Sequence, residues 1–270
     1  MPASIGPAPI SDAAFTAIRD LLFRVAGIHL APGKKALMGG RLNKRLRQLG
    51  LQRFEDYQQR VLQDPVEQQI AIDLLTTNET QFFRERAHFD LLRERILPEL
   101  RGRRPLRAWS AAASTGQEAY SLAMMLAHHA GHAQWEVLGS DISARVLETA
   151  RAGRYDLRHA DQIPLELRRA YCLRGVGSQA GVLLIDEALR RHVRFQQINL
   201  NATLPEIGRF DLILLRNVMI YFPNEVKRGV MARIAQRLAP GGWLLIGHSE
   251  SIADCASDLE CVAPSVYRQP

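Results

Sequence analysis

The sequence is poor in cysteine and contains no long apolar run. Its three cysteines, Cys172, Cys255 and Cys261, are too few and too irregularly spaced for a disulfide framework or a zinc site. No apolar stretch approaches the roughly 18 residues of a membrane span, and the first residues lack the charged and apolar regions of a signal peptide. We therefore expect a cytoplasmic protein with no bound metal, and a disordered lead-in over residues 1–10.

The usual phosphate-binding patterns are also missing from the loop after the apolar run Leu106–Ser110. This loop, AAASTGQE, contains neither G-x-G-x-x-G nor a P-loop lysine, although a strand, a tight turn and a helix typically receive a nucleotide-type cofactor. S-adenosylmethionine suits such a turn because it carries a methionine zwitterion instead of a pyrophosphate. Glu118 can bind its amino group, and Asp141, which ends the next apolar run, can accept its ribose hydroxyls. On these features alone, a Rossmann-like site for another nucleotide stays open.

The composition is that of an ordinary globular protein, and its patterning changes near residue 85. Of 270 residues, 47% are hydrophobic and 23% charged. Helical periodicity runs through residues 11–85, whereas strand-length apolar runs alternate with helical segments over 86–270. This predicts an α/β protein in which an all-helical domain precedes a parallel sheet. Gly-flanked apolar alternation over residues 155–191 indicates a small β insertion in the second domain.

A basic segment lies within the helical region. Residues 34–60 hold eight basic residues against two acidic ones, in a chain with a net charge of +7. Nucleic acid is one possible partner for such a segment. The interleaved aromatic side chains of a single-strand binder are missing, however, because only Phe54 and Tyr57 occur there. A solvated helix face is the plain alternative.

Five segments, in order, closely resemble one family. LTTNETQFFRE (75–85), WSAAASTGQEAYSLAM (109–124), GSDIS (139–143), LLRNVMIYF (214–222) and GGWLLIGHSES (241–251) resemble the chemotaxis receptor methyltransferases, the CheR family of protein-glutamate O-methyltransferases. The resemblance runs from about Phe15 to Tyr267, nearly the whole chain. It implies an S-adenosylmethionine-dependent methyltransferase with a Rossmann-like sheet, an N-terminal helical domain that docks on the receptor, and a β-subdomain.

The resemblance also implies which residues bind and react. The implied cofactor-binding residues are Asn78, Thr80, Arg84, Glu118, Asp141, Asn199, Leu200, Arg216 and Asn217. Arg84 and Tyr221 are implied to lie near the reacting methyl group and to be catalytic. One departure is Gln117-Glu118-Ala119, where family members usually have Glu-Glu-Pro; it keeps the acid assigned to the cofactor.

The implied reaction is methylation of glutamate side chains on chemoreceptor signalling domains, for adaptation in chemotaxis. The basic helix then predicts a docking face for these acidic receptor helices, with Arg41, Lys44 and Arg45 as candidates. The β-subdomain is expected to bind a receptor C-terminal tail by strand addition in some members. We expect a monomer that binds no nucleic acid and meets the membrane only through receptors. The alternatives are an RNA or small-molecule methyltransferase and a catalytically inactive cofactor-binding module.

Overall fold

The computed structural model describes residues 9–103, 105–129, 134–255 and 258–270. Most of the predicted lead-in, residues 1–8, lies outside these ranges. Within them, no helix combines the length and apolar character needed to cross a membrane.

The first region is helical, as predicted from periodicity. Its helices are α1 (Asp12–Ala26), α2 (Lys35–Gln48), α3 (Phe54–Gln63) and α4 (Pro65–Leu75). Local signals end α1 on both sides: the Ser11 hydroxyl accepts a hydrogen bond from the Ala14 N–H, and Gly27 closes the helix at φ 72°. The apolar stripes of these helices meet in one cluster, which includes Phe15, Leu42 and Val61. Burial of each such side chain contributes about 1.5–3 kcal/mol.

A buried ion pair joins α2, α3 and α4. The Glu67 side chain on α4 is only 2% exposed, and its carboxylate accepts hydrogen bonds from both Nε and Nη2 of Arg45, at 2.8 and 2.6 Å. The Tyr57 hydroxyl donates to the same carboxylate at 3.0 Å. Hydrogen bonds from Arg45 hold the pKa of Glu67 below its ordinary value. Arg45 therefore connects α2 to α4 within the helical region.

The remaining elements alternate between strands and helices. The helices are α5 (Arg86–Leu91), which continues through a π turn (Leu92–Ile96), α6 (Leu97–Glu99), α7 (Gln117–His129), α8 (Ala144–Ala152), α9 (Leu165–Tyr171), α10 (Glu187–Arg190) and α11 (Asn224–Ala235). The strands are β1 (Leu106–Ser110), β2 (Trp135–Asp141), β3 (Arg154–Asp156), β4 (Cys172–Arg174), β5 (Val182–Ile185), β6 (Val193–Gln197), β7 (Phe210–Leu215), β8 (Leu238–Ile246), β9 (Glu260–Ala263) and β10 (Val266–Arg268).

The main sheet has seven strands in the order β6-β2-β1-β7-β8-β10-β9. The first five run parallel, as predicted. The last two were missed by sequence reasoning, and β10 runs antiparallel to both β8 and β9. Strand order reverses direction at β1, which has β2 on one side and β7 on the other. In open α/β sheets, ligands bind in the crevice at such a reversal, beyond the carboxyl ends of the strands.

Helices cover both faces of this sheet. Side chains of successive strand residues point to opposite faces, so Ala108 and Leu212 belong to one apolar cluster while Trp109 and Ile213 belong to another. Both clusters are almost fully buried, as the predicted fold requires. The β insertion is also confirmed, because β3, β5 and β4 form a separate antiparallel sheet in that order.

Glu67→Gln should lower the free energy of unfolding by about 3 kcal/mol, because it leaves Arg45 without its carboxylate in a mostly buried setting. Urea unfolding of both proteins at pH 7 measures the difference. Because the pKa of folded Glu67 is depressed, its stabilisation is present above the unfolded-state pKa and is lost as pH falls through the folded one. Glu148→Gln on α8, an exposed position, is the matched control. Equal losses in the two variants would contradict the assignment.

Candidate functional site

A cavity of about 320 Å³ lies at the carboxyl ends of β1, β2 and β7. The helical region forms its opposite wall through the loop after α1, residues 28–31, and through Leu37 and Arg41 of α2. The segment 75–80 after α4 closes one side. The cavity is therefore built jointly by the helical region and the sheet, and its volume falls in the range of small-molecule sites.

The turn after β1 approaches the cavity closely because it contains small residues. Ser114 and Gly116 both have left-handed backbone angles, with φ of 49° and 95°. A Cβ atom on Gly116 would lie 2.8 Å from the Cβ of Ala150 and 3.0 Å from the Tyr155 hydroxyl. Glycine is thus required both by the backbone angle and by the packing of this turn against α8.

Glu118 lies in the first turn of α7 and lines the cavity. Its carboxylate accepts hydrogen bonds from the Ser110 hydroxyl at 2.7 Å and from Nη1 of Arg216 at 3.1 Å. Burial raises the pKa of this carboxyl, although the Arg216 charge opposes the rise. A cationic ligand group beside Glu118 would stabilise its ionised form.

Asp141 ends β2 and is 8% exposed. Its two oxygens accept backbone hydrogen bonds from Ser114 and Ser143, each at 2.9 Å. Burial raises its pKa, and these two N–H groups oppose that rise. The carboxylate therefore holds together the turn after β1 and the start of α8, and Asp141 lines the cavity.

Arg216 follows β7, and its side chain has no exposed surface. Its guanidinium donates to the Glu118 carboxylate, to Glu85 through Nε at 3.3 Å and to the Arg84 carbonyl. Glu85 has a left-handed φ of 57°. Burial alone would raise the pKa of Glu85, but Arg216 and the Asn217 amide hold it below its ordinary value. Arg216 thus links the segment before α5 to the first turn of α7.

The segment that joins the helical region to the sheet also lines the cavity. Asn78, Thr80 and Arg84 all border it. The Asn78 carbonyl accepts a hydrogen bond from the Ser114 hydroxyl at 2.8 Å, which fixes this segment against the β1 turn. Nη1 of Arg84 donates to the Glu79 carbonyl at 3.3 Å, and the side chain is half-buried.

Asn199 and Leu200 follow β6, and both line the cavity. The Asn199 amide donates to the Val25 carbonyl of α1 at 2.7 Å, and its oxygen accepts from the Asn201 N–H at 2.9 Å. Its side chain therefore joins α1 to the sheet. Leu200 is 7% exposed and supplies apolar wall.

Asn217 and Tyr221 lie in the segment after β7, and both line the cavity. Asn217 has a left-handed φ of 58°, and its amide donates to Glu85 at 3.1 Å. Tyr221 ends a 3₁₀ turn (Met219–Tyr221), and its carbonyl accepts from the His29 N–H at 3.0 Å. All residues that the resemblance assigned to cofactor binding or catalysis thus border one cavity.

The three predicted docking residues are in different surroundings. Arg45 is bound to Glu67 inside the helical region. Arg41 donates to the carbonyls of Leu75 and Thr76 and to the Thr77 hydroxyl, so it holds the joining segment in place. Lys44 is exposed on α2. Arg41 and Arg45 are therefore bound to partners within this chain. Of the three predicted docking residues, only Lys44 has the exposure that docking requires.

No role was assigned from the sequence to one loop and two acidic residues that line the cavity or hold its wall. The loop 28–31 lines the cavity, and Glu85 and Glu250 bond the segments that carry Arg216 and Asn217. Both acids fall inside the quoted motifs, FFRE and GHSES, which was the available signal. Their partners are distant in sequence, so no local spacing could assign them.

One group of potential metal ligands occurs among the described residues. Ligand atoms of Glu85, His88 and His248 lie within 4.8 Å of one another. Burial lowers the pKa of His88 to about 4, so its ring is neutral. The Glu85 carboxylate already accepts hydrogen bonds from the Arg216 guanidinium, whose positive charge disfavours a metal cation at the same oxygen.

The cavity fits S-adenosylmethionine by its donor and acceptor groups. Glu118 supplies an acid for an ammonium group, Asp141 supplies acceptors for ribose hydroxyls, and Ile142 and Leu200 supply apolar wall for a base. The cavity beside these groups is lined by small residues of the turn after β1, namely Ala111, Ala112 and Ser114. With the strand order, this site defines the class of S-adenosylmethionine-dependent methyltransferases.

Comparisons with known proteins narrow the class to a family. Residues 13–76 match the family described as CheR methyltransferase, all-alpha domain, and residues 78–267 match CheR methyltransferase, SAM binding domain. The chain belongs to the CheR methyltransferase family, as the resemblance predicted.

Curated relatives resemble the chain over nearly its whole length. Chemotaxis protein methyltransferase 2 of Pseudomonas aeruginosa is 41% identical over 256 residues, which cover 94% of this chain and 91% of that protein. The chemotaxis protein methyltransferases of Klebsiella aerogenes and Escherichia coli are 41% and 42% identical, each over 96% of this chain and 90% and 91% of theirs. The two matched family regions meet between residues 76 and 78; the domain limits drawn from the sequence stay predictions.

S-adenosylmethionine affinity should fall as pH is lowered from 7 to 5, because the raised pKa of Glu118 lets its carboxyl protonate in that direction and lose its attraction for the cofactor ammonium. One coupled proton changes the dissociation constant by up to about tenfold per pH unit. Isothermal titration calorimetry at four pH values measures this slope. Glu118→Gln should bind about tenfold or more weakly at pH 7 and show a flatter profile. An unchanged slope in that variant would assign the proton to another group.

Proposed function

We propose that the chain transfers a methyl group from S-adenosylmethionine to glutamate side chains of bacterial chemoreceptors, as the adaptation step of chemotaxis. The relatives named chemotaxis protein methyltransferases match both the helical region and the sheet. The observation that carries the proposal is the shared cavity: its wall comes from both regions, so a substrate that reaches it also meets the helical region. The chain covers about nine-tenths of each relative's length.

When bound, S-adenosylmethionine supplies an electrophilic methyl group on a positively charged sulfur. A glutamate side chain is already ionised at pH 7, since its reference pKa is about 4.3. No general base is then needed on the enzyme. What the chain must do is strip water from the carboxylate and hold it in line with the methyl group at about 3–3.5 Å.

The cavity residues have proposed roles that follow from their surroundings. Glu118 binds the cofactor ammonium, and Asp141 accepts the ribose hydroxyls. Arg216 orients Glu118, which it contacts at 3.1 Å. Leu200 borders adenine, and Asn199 holds that wall against α1. Contact with the cofactor is completed by Asn78, Thr80 and Asn217.

Arg84 and Tyr221 are the proposed catalytic pair. Both line the cavity, and the half-buried guanidinium of Arg84 is held by a backbone carbonyl and by no carboxylate among the described salt bridges. It is therefore available to attract the incoming glutamate. If it held the ground state as tightly as the transition state, it would lower KM without raising kcat. Tyr221 closes the pocket around the methyl group.

The exposed face of α2 and the turn before it form the proposed receptor-docking surface. Lys34 and Leu37 are exposed and lie at the cavity mouth, and Lys44 and Arg47 are exposed further along. Because Glu67 neutralises Arg45, the docking charge resides in these outer side chains. Acidic receptor helices would be attracted to them, and salt would weaken the attraction.

The small sheet is the proposed site for a receptor tail peptide. β3 and β4 are its edges, each paired on one side only with β5. An extended peptide could add to such an edge through its backbone groups. Leu173 on β4 is 51% exposed and Val176 just beyond it is 79% exposed, which would give that peptide apolar contacts.

Receptor-containing membranes incubated with the enzyme and methyl-labelled S-adenosylmethionine should acquire label that mild alkali releases as volatile methanol. Esters of carboxyl groups hydrolyse under these conditions, whereas methylated nitrogen does not. Alkali-stable label on protein, or label on RNA or a small molecule, would contradict the proposal. Absence of transfer despite cofactor binding would favour an inactive binding module.

Arg84→Ala and Tyr221→Ala should each abolish transfer while leaving cofactor affinity largely intact.

Reversing charge on the docking surface, with Lys44→Glu and Arg47→Glu together, should raise KM for the receptor about tenfold at low salt and leave kcat unchanged. Kinetics at 20 and 300 mM NaCl measure this, and the difference should shrink at the higher salt. Arg194→Glu and Arg209→Glu together are the matched control, because both residues are exposed at the amino ends of β6 and β7, opposite the cavity, and the net charge changes by the same amount. An equal effect of the control would mean that net charge alone acts.

A further inference from the structure

The segment after β7 carries Asn217 and Tyr221, and its backbone has an unusual shape. Asn217 is left-handed at φ 58°, and Val218, with ψ −34°, leads into the short 3₁₀ turn. The N–H groups of such a turn have few partners within the segment. Something outside it must therefore bond them if the turn is to keep one conformation.

The Glu250 carboxylate accepts hydrogen bonds from the backbone N–H groups of this turn. Its Oε2 accepts from the N–H groups of Gly247 and Asn217 at 2.7 and 2.8 Å. Its Oε1 accepts from those of Met219 and Ile220 at 2.7 and 3.3 Å. Four backbone donors thus converge on one carboxylate, which is the arrangement of an anion-binding nest with the anion supplied by the chain itself.

Gly247 allows this carboxylate to reach the segment. A Cβ atom at position 247 would lie 2.6 Å from Nδ2 of Asn217 and 2.8 Å from Oε2 of Glu250. Any side chain there would separate the loop after β8 from the end of β7. The Asn217 side chain is meanwhile held from the other direction by Glu85, at 3.1 Å.

We infer that Glu250 is a positioning residue for methyl transfer: it holds the backbone of residues 217–220 so that the Tyr221 ring keeps its place in the cavity wall. The inference rests on the proposed function for the role of Tyr221, but the hydrogen bonds that fix the segment do not. Only a carboxylate suits four converging donors, because a glutamine amide would turn its NH₂ group toward two of them.

Amide hydrogen exchange tests the positioning without reference to any substrate. In Glu250→Gln, exchange should accelerate in residues 217–222 and stay unchanged in β1 and α7. Glu250→Asp, which keeps the charge, should give a smaller acceleration. Glu260→Gln, an exposed change on β9, is the matched control. Unchanged exchange in Glu250→Gln would overturn the inference.

Kinetics test whether this positioning matters for the reaction. Glu250→Gln should lower kcat by about 100-fold, the order expected when reacting groups are misplaced by about 1 Å, while calorimetric affinity for S-adenosylmethionine changes by less than about threefold. Combined with Tyr221→Phe, which keeps the ring, it should lower kcat by much less than the product of the two single losses, because both act on the same group. Multiplied losses would overturn the link to Tyr221. Altered exchange in an enzyme that methylates no receptor carboxylate would instead refute the proposed function.

Discussion

One buried cation holds the cavity together. Arg216 has no exposed side-chain surface, so its charge needs partners, and it takes them from two acids and a carbonyl. Glu118 belongs to the first turn of α7, and Glu85 belongs to the segment that joins the helical region to the sheet. A single guanidinium therefore fixes where three chain segments meet. Arg216, Glu118 and Arg84 all line the cavity, so these bonds fix part of its wall.

Much of the fold could be predicted because its signals are local. Strand β1 coincides with the apolar run Leu106–Ser110, and the helical region and the β insertion lie where periodicity and glycines predicted them. Strands β9 and β10 were missed because they are short and half-buried, so they show no continuous apolar run. Their place is set by the pairing of β10 with β8 and of β9 with β10, and sequence periodicity does not encode such tertiary interactions.

Which residues form the site could largely be predicted, but the partners of its charged residues could not. Glu118 and Asp141 follow from the position of acids at strand ends, and the resemblance supplied the others. Arg41 and Arg45 were predicted to face a partner, yet their neighbours are Leu75 and Glu67, which only folding brings near. Glu85 and Glu250 sit in recognisable motifs, but their partners lie 131 and 33 positions away. The identity of a charged residue can be read from sequence, whereas its partner depends on topology.

The hydrogen bond from the His29 N–H to the Tyr221 carbonyl spans the two matched regions of the chain. Gly27, two residues earlier, sits so close to α11 that an added Cβ would lie 2.7 Å from Val226. The helical region therefore forms part of the cavity wall and is also packed directly against the sheet region. In evolutionary terms, the two regions are not exchangeable modules. Recombination that replaced one of them would have to preserve the contacts of Gly27 and His29 with the other region. We therefore expect the two regions to be inherited, and to diverge, as a pair.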